Sequence, residues 1–129
     1  MAYVIGVFTA AVVWALARIS RIDRERSFYP VVLSVVASYY VLFAAIGGSV
    51  RFAAIEVLFM TPFVLAAGLG YKRSLWIVVA GLAAHGLQDA FHVGVIPNPG
   101  VPVWWPAFCL AYDVTAAVML ARLIPRIGR

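Results

Sequence analysis

Five long apolar stretches, set apart by short polar or turn-forming segments, dominate the pattern of this chain. They run at about 2–19, 30–47, 52–70, 75–94 and 104–124. Each is close to the ~20 residues a helix needs to cross ~30 Å of hydrocarbon. The separators at 18–26, 71–74 and 96–103 are distinct. Between the second and third stretches stands only Gly47-Gly48-Ser49-Val50-Arg51-Phe52, which predicts a tight hairpin. The pattern therefore predicts an all-α polytopic membrane bundle of about five helices, one domain over 1–129. A re-entrant Gly-Gly turn would reduce the count to four.

Composition and charge sharpen that picture. Of the 129 residues 65% are hydrophobic and 12% charged, whereas soluble domains average ~45–50% apolar and ~25% charged. A chain this short cannot hide so much apolar surface in one aqueous core, which leaves no separate soluble domain. Nine of the ten basic residues fall in alternate segments: Arg18, Arg21, Arg24 and Arg26; Lys72 and Arg73; Arg122, Arg126 and Arg129. Only Arg51 lies on the other side. The positive-inside rule then predicts the N-terminus outside and the C-terminus inside, in a bacterial cytoplasmic membrane. The net charge of +5 reads as topology with some attraction to anionic lipid, and it predicts no nucleic-acid partner. The first stretch has no basic segment ahead of it, so it reads as a retained helix and no cleaved signal peptide. The single cysteine, Cys109, excludes an intramolecular disulfide.

The chemistry lies where it is least expected. Glu56, Asp89, Asp113, His85 and His92 all fall inside the apolar stretches. Ionisable groups at that depth are costly unless they pair, bind a ligand or relay protons. At ~1.5 Å per helical residue, they and Tyr39 and Tyr40 gather in the outer half of the bilayer. The other half holds little beyond Ser34, Thr61 and Thr115. A transporter would need a polar path to the cytoplasm, so this distribution favours a pocket open to one face.

The densest motif is His85-x-x-x-Asp89-x-x-His92, whose spacings of four and three place three side chains on one helical stripe. Two imidazoles and a carboxylate make the ligand set of non-haem iron(II) sites, and of catalytic zinc with a water. The expected metal ligands are His85, Asp89, His92 and Asp113, with zinc or iron as the ion. Asp113 doubles as general base, and Glu56 is a further ligand or proton shuttle. With three carboxylates, a two-metal arrangement is also compatible. The competing reading is a structural network in which Asp89 holds a histidine and Arg51 neutralises Glu56 or Asp89, since small bundles use interhelical hydrogen bonds as glue. Cys109 and Met60 would allow soft copper(I) ligation but are more often apolar filling. Tyr39, Tyr40 and Tyr112 are the candidate substrate contacts, and Trp104 and Trp105 mark an interface or cap the pocket.

The stretch NPGVPVWWPAFCLAYDV, with HGLQDAFH before it, resembles small bacterial integral membrane proteins of unknown function. The resemblance covers about the last third of the chain and its general size, and it implies no activity. The residues point first to a membrane-embedded metal-dependent enzyme that hydrolyses or oxidises a lipid or other amphiphile. The alternatives are a protein that binds or transports a metal ion or cationic ligand, or a small structural subunit of a homo-oligomer or larger membrane complex. No GxSxG, P-loop or CxxCH motif supports an easier assignment.

Overall fold

The computed structural model describes residues 1–127 and contains five long helices: α1 (Ala2–Ser20), α2 (Phe28–Ile46), α3 (Val50–Lys72), α4 (Leu75–Val95) and α5 (Trp105–Ile127), with a 3₁₀ turn at Ile22–Arg24. Their ends fall within about three residues of those read from the apolar pattern. The Gly-Gly segment is a turn between two full helices, and nothing re-enters. Gly48 takes the left-handed conformation (φ 73°), and the Ser49 hydroxyl then caps α3 by accepting from the Phe52 amide at 3.1 Å. Ser74 starts α4 in the same way, accepting from the Trp76 amide at 3.3 Å.

The helices pack in the order α2, α3, α4, α5, α1, with α2 also reaching across to α4 and α5. Odd and even helices run in opposite directions, so eight of the ten basic residues collect at one end of the described bundle. The Gly-Gly turn, the loop 96–104 and the N-terminus form the other end, here the loop end. Gly6 lets α1 press directly on α5, because a Cβ there would collide with the Phe108 carbonyl and Ala111. Gly100 performs the same service for the loop, lying against the Phe43 carbonyl and Gly47.

Polarity is inverted relative to a soluble protein. Large apolar side chains such as Phe8, Leu58, Leu65 and Phe91 are more than 60% exposed, whereas Glu56, His85, Asp89, His92 and Asp113 are at most 2% exposed. Four helices, α1, α2, α3 and α5, are long and apolar enough to cross a membrane. This combination is that of an integral membrane protein, whose surface is solvated by lipid tails. Helix α4 is 21 residues long but falls outside that group, because His85, Gln88, Asp89 and His92 interrupt its apolar run. It touches α2, α3 and α5, so the neighbours supply the apolar cover that its own sequence lacks.

Candidate metal and acid–base site

The polar face of α4 meets α2, α3 and α5 in two linked groups. In the deeper group, His85 and Asp113 face each other across the α4–α5 contact, with His85 Nδ1 donating to Asp113 Oδ2 at 2.5 Å. That separation is short even for a charge-assisted N–H···O bond. Asp89, one turn along α4, brings Oδ2 to 3.6 Å from the same nitrogen. Cys109 sits one turn before Asp113 on α5, its thiol 3.8 Å from Oδ2. Ligand-type atoms of His85, Asp89, Cys109 and Asp113 all lie within 4.8 Å of one another, and all four residues are buried.

Nearer the loop end, His92 Nε2 donates to Glu56 Oε1 at 2.7 Å, joining α4 to α3. Asn98 completes this group: its amide donates to Glu56 Oε1 and to the Tyr40 carbonyl, each at 3.1 Å. Its own oxygen accepts from the Gly100 amide at 3.0 Å, so the loop folds inward around one side chain. Tyr40 of α2 bridges the two groups. Its hydroxyl donates to Asp89 Oδ1 at 2.6 Å, and its ring stacks on His92 with centroids 3.7 Å apart. Even so, Glu56 Oε2, His85 Nε2, Asp89 Oδ2 and His92 Nδ1 remain buried without a hydrogen-bond partner. Buried polar atoms left unpaired in this way are uncommon and point to a further ligand or water.

Two sequence expectations change here. His92 does not join His85, Asp89 and Asp113; it belongs with Glu56. Seven residues of helix separate the two histidines by about 10 Å along the axis, too far for one ion to hold both. Cys109 takes the place expected of His92. Arg51 neutralises neither Glu56 nor Asp89: it is exposed and lies over the Phe52 ring at 6.0 Å. Among the described residues the carboxylates of these two groups, Glu56, Asp89 and Asp113, therefore face histidines, hydroxyls and amides, and no lysine or arginine. Asn98 stands in an Asn-Pro-Gly triplet, which ordinarily does no more than form a turn, so nothing in the sequence marks this role.

The three tyrosines divide. Tyr40 is 1% exposed and serves the polar network itself. Tyr39 and Tyr112 line an open cleft of about 340 Å³ between α1, α2 and α5, together with Val13, Val36, Trp105 and Phe108. Cys109 also lines this cleft, so an apolar passage from the side of the bundle ends against a residue of the deeper group. Tyr39 and Trp105 pack edge to face at 5.0 Å across its loop-end rim, and the buried Trp105 Nε1 has no hydrogen-bond partner. Beyond His85 and Asp113, toward the arginine-rich end, the core is dry: Leu33, Val78, Leu82 and Leu120 are fully buried.

No family model, no curated protein and no solved structure matches this chain. The site must be read from its own atoms.

Proposed function

We propose that this chain is a five-helix enzyme of the bacterial cytoplasmic membrane that holds one divalent metal ion, zinc or iron(II), among His85, Asp89, Cys109 and Asp113. Its substrate on this reading is a lipid or other amphiphile that enters sideways through the cleft between α1, α2 and α5. The observation that carries the reading is the group of four ligand-type atoms within 4.8 Å of one another in a fully buried setting. One nitrogen, two carboxylates and a sulfur form a donor set suited to zinc or iron(II). Ligands at ~2.0–2.3 Å in a tetrahedron stand roughly 3.3–3.8 Å apart. The Cys109–Asp113 and His85–Asp89 separations already match at 3.8 Å and 3.6 Å. The His85–Asp113 contact, at 2.5 Å, would have to open by about 1 Å on the same geometry, and the remaining separations lie within 4.8 Å.

Charge favours the same reading. Two carboxylates and a thiol gathered away from water are expensive without a cation, and no lysine or arginine supplies one. A bound ion would act as Lewis acid or lower the pKa of a water, supporting hydrolysis or oxidation of an amphiphile. Asp113 would then hold or move the proton at Oδ1, the oxygen outside the ligand set, while Tyr40 holds Asp89 Oδ1. Glu56 and His92 would form a separate acid–base pair nearer the loop end. The dry core beyond Asp113 speaks against the transport alternative, which needs a polar route through the bundle.

Elemental analysis of purified protein tests this directly. We expect about one zinc or iron per chain, falling below about a tenth in His85→Ala and in Asp113→Ala, with a lowered melting temperature under chelation. Metal-free protein that melts at the same temperature with and without added zinc, iron or manganese would sink the proposal and leave a structural network. The topology follows the charge pattern, with α4 spanning as well and the N-terminus outside. Reporter fusions after Gly70 and within 98–100 should read cytoplasm and exterior; the same reading at both would refute it.

A further inference from the structure

At the arginine-rich end, α1 and α5 part enough to leave a pocket of about 490 Å³ lined by Trp14, Arg18, Met119, Arg122, Leu123 and Arg126. Three guanidinium-bearing residues thus share one concavity whose remaining wall is aromatic and aliphatic. Among the described residues the ion pair at this pocket is Arg18 Nη1 with Asp23 Oδ2, a loose 3.9 Å. Three cations against one carboxylate leave two positive charges uncompensated. The neighbouring Arg26 is occupied elsewhere, since it donates to the Gly70 and Tyr71 carbonyls at the end of α3.

We infer that this pocket binds the phosphate headgroup of an anionic membrane lipid, with Arg18, Arg122 and Arg126 around the phosphate and an acyl chain along Trp14, Met119 and Leu123. Planar guanidinium groups match phosphate oxygens in pairs, which a scattered surface charge does not do. Basic pockets between membrane helices on the cytoplasmic side are a recurrent setting for such headgroups. The mixed lining argues for a lipid over a free anion. A small soluble phosphate would use the arginines and leave the apolar wall bare, whereas a lipid uses both. The inference is independent of the metal site, from which the dry core separates it.

The experiment is native mass spectrometry of the detergent-solubilised full chain with phosphatidylglycerol and phosphatidylcholine at equal concentration. Phosphatidylglycerol should be retained at least about tenfold over phosphatidylcholine. The Arg122→Gln/Arg126→Gln double variant should lose about thirtyfold in affinity for it, roughly fivefold per arginine. A second double variant, Arg21→Gln/Arg24→Gln, removes the same charge at the same end but away from the pocket. It should stay within about threefold of wild type. Equal losses in the two double variants would show general surface charge and overturn the assignment, as would wild-type protein with no preference between the lipids. Inorganic phosphate binding as well as phosphatidylglycerol would replace the lipid site with a small-anion site. The wild-type lipid competition needs no variant, so a double variant that failed to fold would not shield the inference.

Discussion

Removing His85 should cost far more than an ordinary membrane hydrogen bond, and the size of that difference is the sharpest test of the deeper group. In His85→Ala the Asp113 and Asp89 carboxylates, both fully buried and adjacent to the same imidazole nitrogen, lose the ring that faces both of them. Breaking a buried pair by deleting one partner costs ~3–5 kcal/mol. An interhelical hydrogen bond between neutral groups in a bilayer averages only ~0.6 kcal/mol. For a chain of this length, ~1 kcal/mol moves the melting temperature by roughly 3–5 °C. The two accounts therefore predict drops of about 9–25 °C and about 2–3 °C.

The Asp113→Ala variant should lose less, about 2–3 kcal/mol, because the imidazole freed by it can turn to Asp89 at 3.6 Å. The double variant removes donor and acceptor together, so its loss should fall short of the sum of the singles by about 2 kcal/mol. Melting the four proteins in one lipid mimetic, with chelator present throughout, isolates the side chains from any bound ion. Single variants within about 3 °C of wild type, or strictly additive losses, would refute the argument that these buried groups depend on one another.

Two further substitutions probe how the groups are joined. Tyr40→Phe keeps the ring over His92 and removes only the hydroxyl that donates to Asp89 at 2.6 Å; leaving that oxygen unpaired should cost ~1–3 kcal/mol, and an unchanged melting curve would refute the bridging role. Gly100→Ala places a methyl against the Phe43 carbonyl and Gly47, backbone atoms that cannot turn aside, so it should destabilise by ~1–3 kcal/mol and speed amide exchange across 96–100; exchange unaltered there would show that the loop does not depend on this close approach.

Much of the fold was legible because lipid solvation imposes a length on apolar runs, and five such runs fill most of the chain. The buried stripe of α4 was legible for a related reason. Spacings of four and three put His85, Asp89 and His92 on one face, and a face with two imidazoles and a carboxylate must turn away from lipid. What the spacing could not give is the pairing between helices. That depends on how far α3 and α5 are rotated and shifted along α4, which is decided by small contacts such as Gly86 against Asp113 and Val114. The rise of α4 alone keeps His85 and His92 about 10 Å apart along the axis, and the shift between helices decides which of them Asp113 and Cys109 meet. Asn98 was illegible because its triplet already had a sufficient explanation as a turn.

Tyr40 shows why the two histidine–carboxylate pairs are best regarded as one unit. Its hydroxyl fixes Asp89 of the deeper group, its ring covers His92 of the other, and its carbonyl accepts from Asn98. With its backbone tied to the loop and its side chain held by Asp89 and His92, Tyr40 links a displacement of the loop at Asn98 to Asp89. Asp89 is also where the deeper group is open, since its Oδ2 has no hydrogen-bond partner and lies within reach of the His85 nitrogen. The loop that closes over Glu56 thereby sets the position of a candidate metal ligand one helix away. Whatever enters by the cleft to Cys109 meets Trp105 and Tyr39 at its rim, next to that same loop. The rim of the cleft and the position of Asp89 therefore share one structural element, the segment 96–105, and on the proposed reading a change there should disturb substrate entry and ligand geometry together.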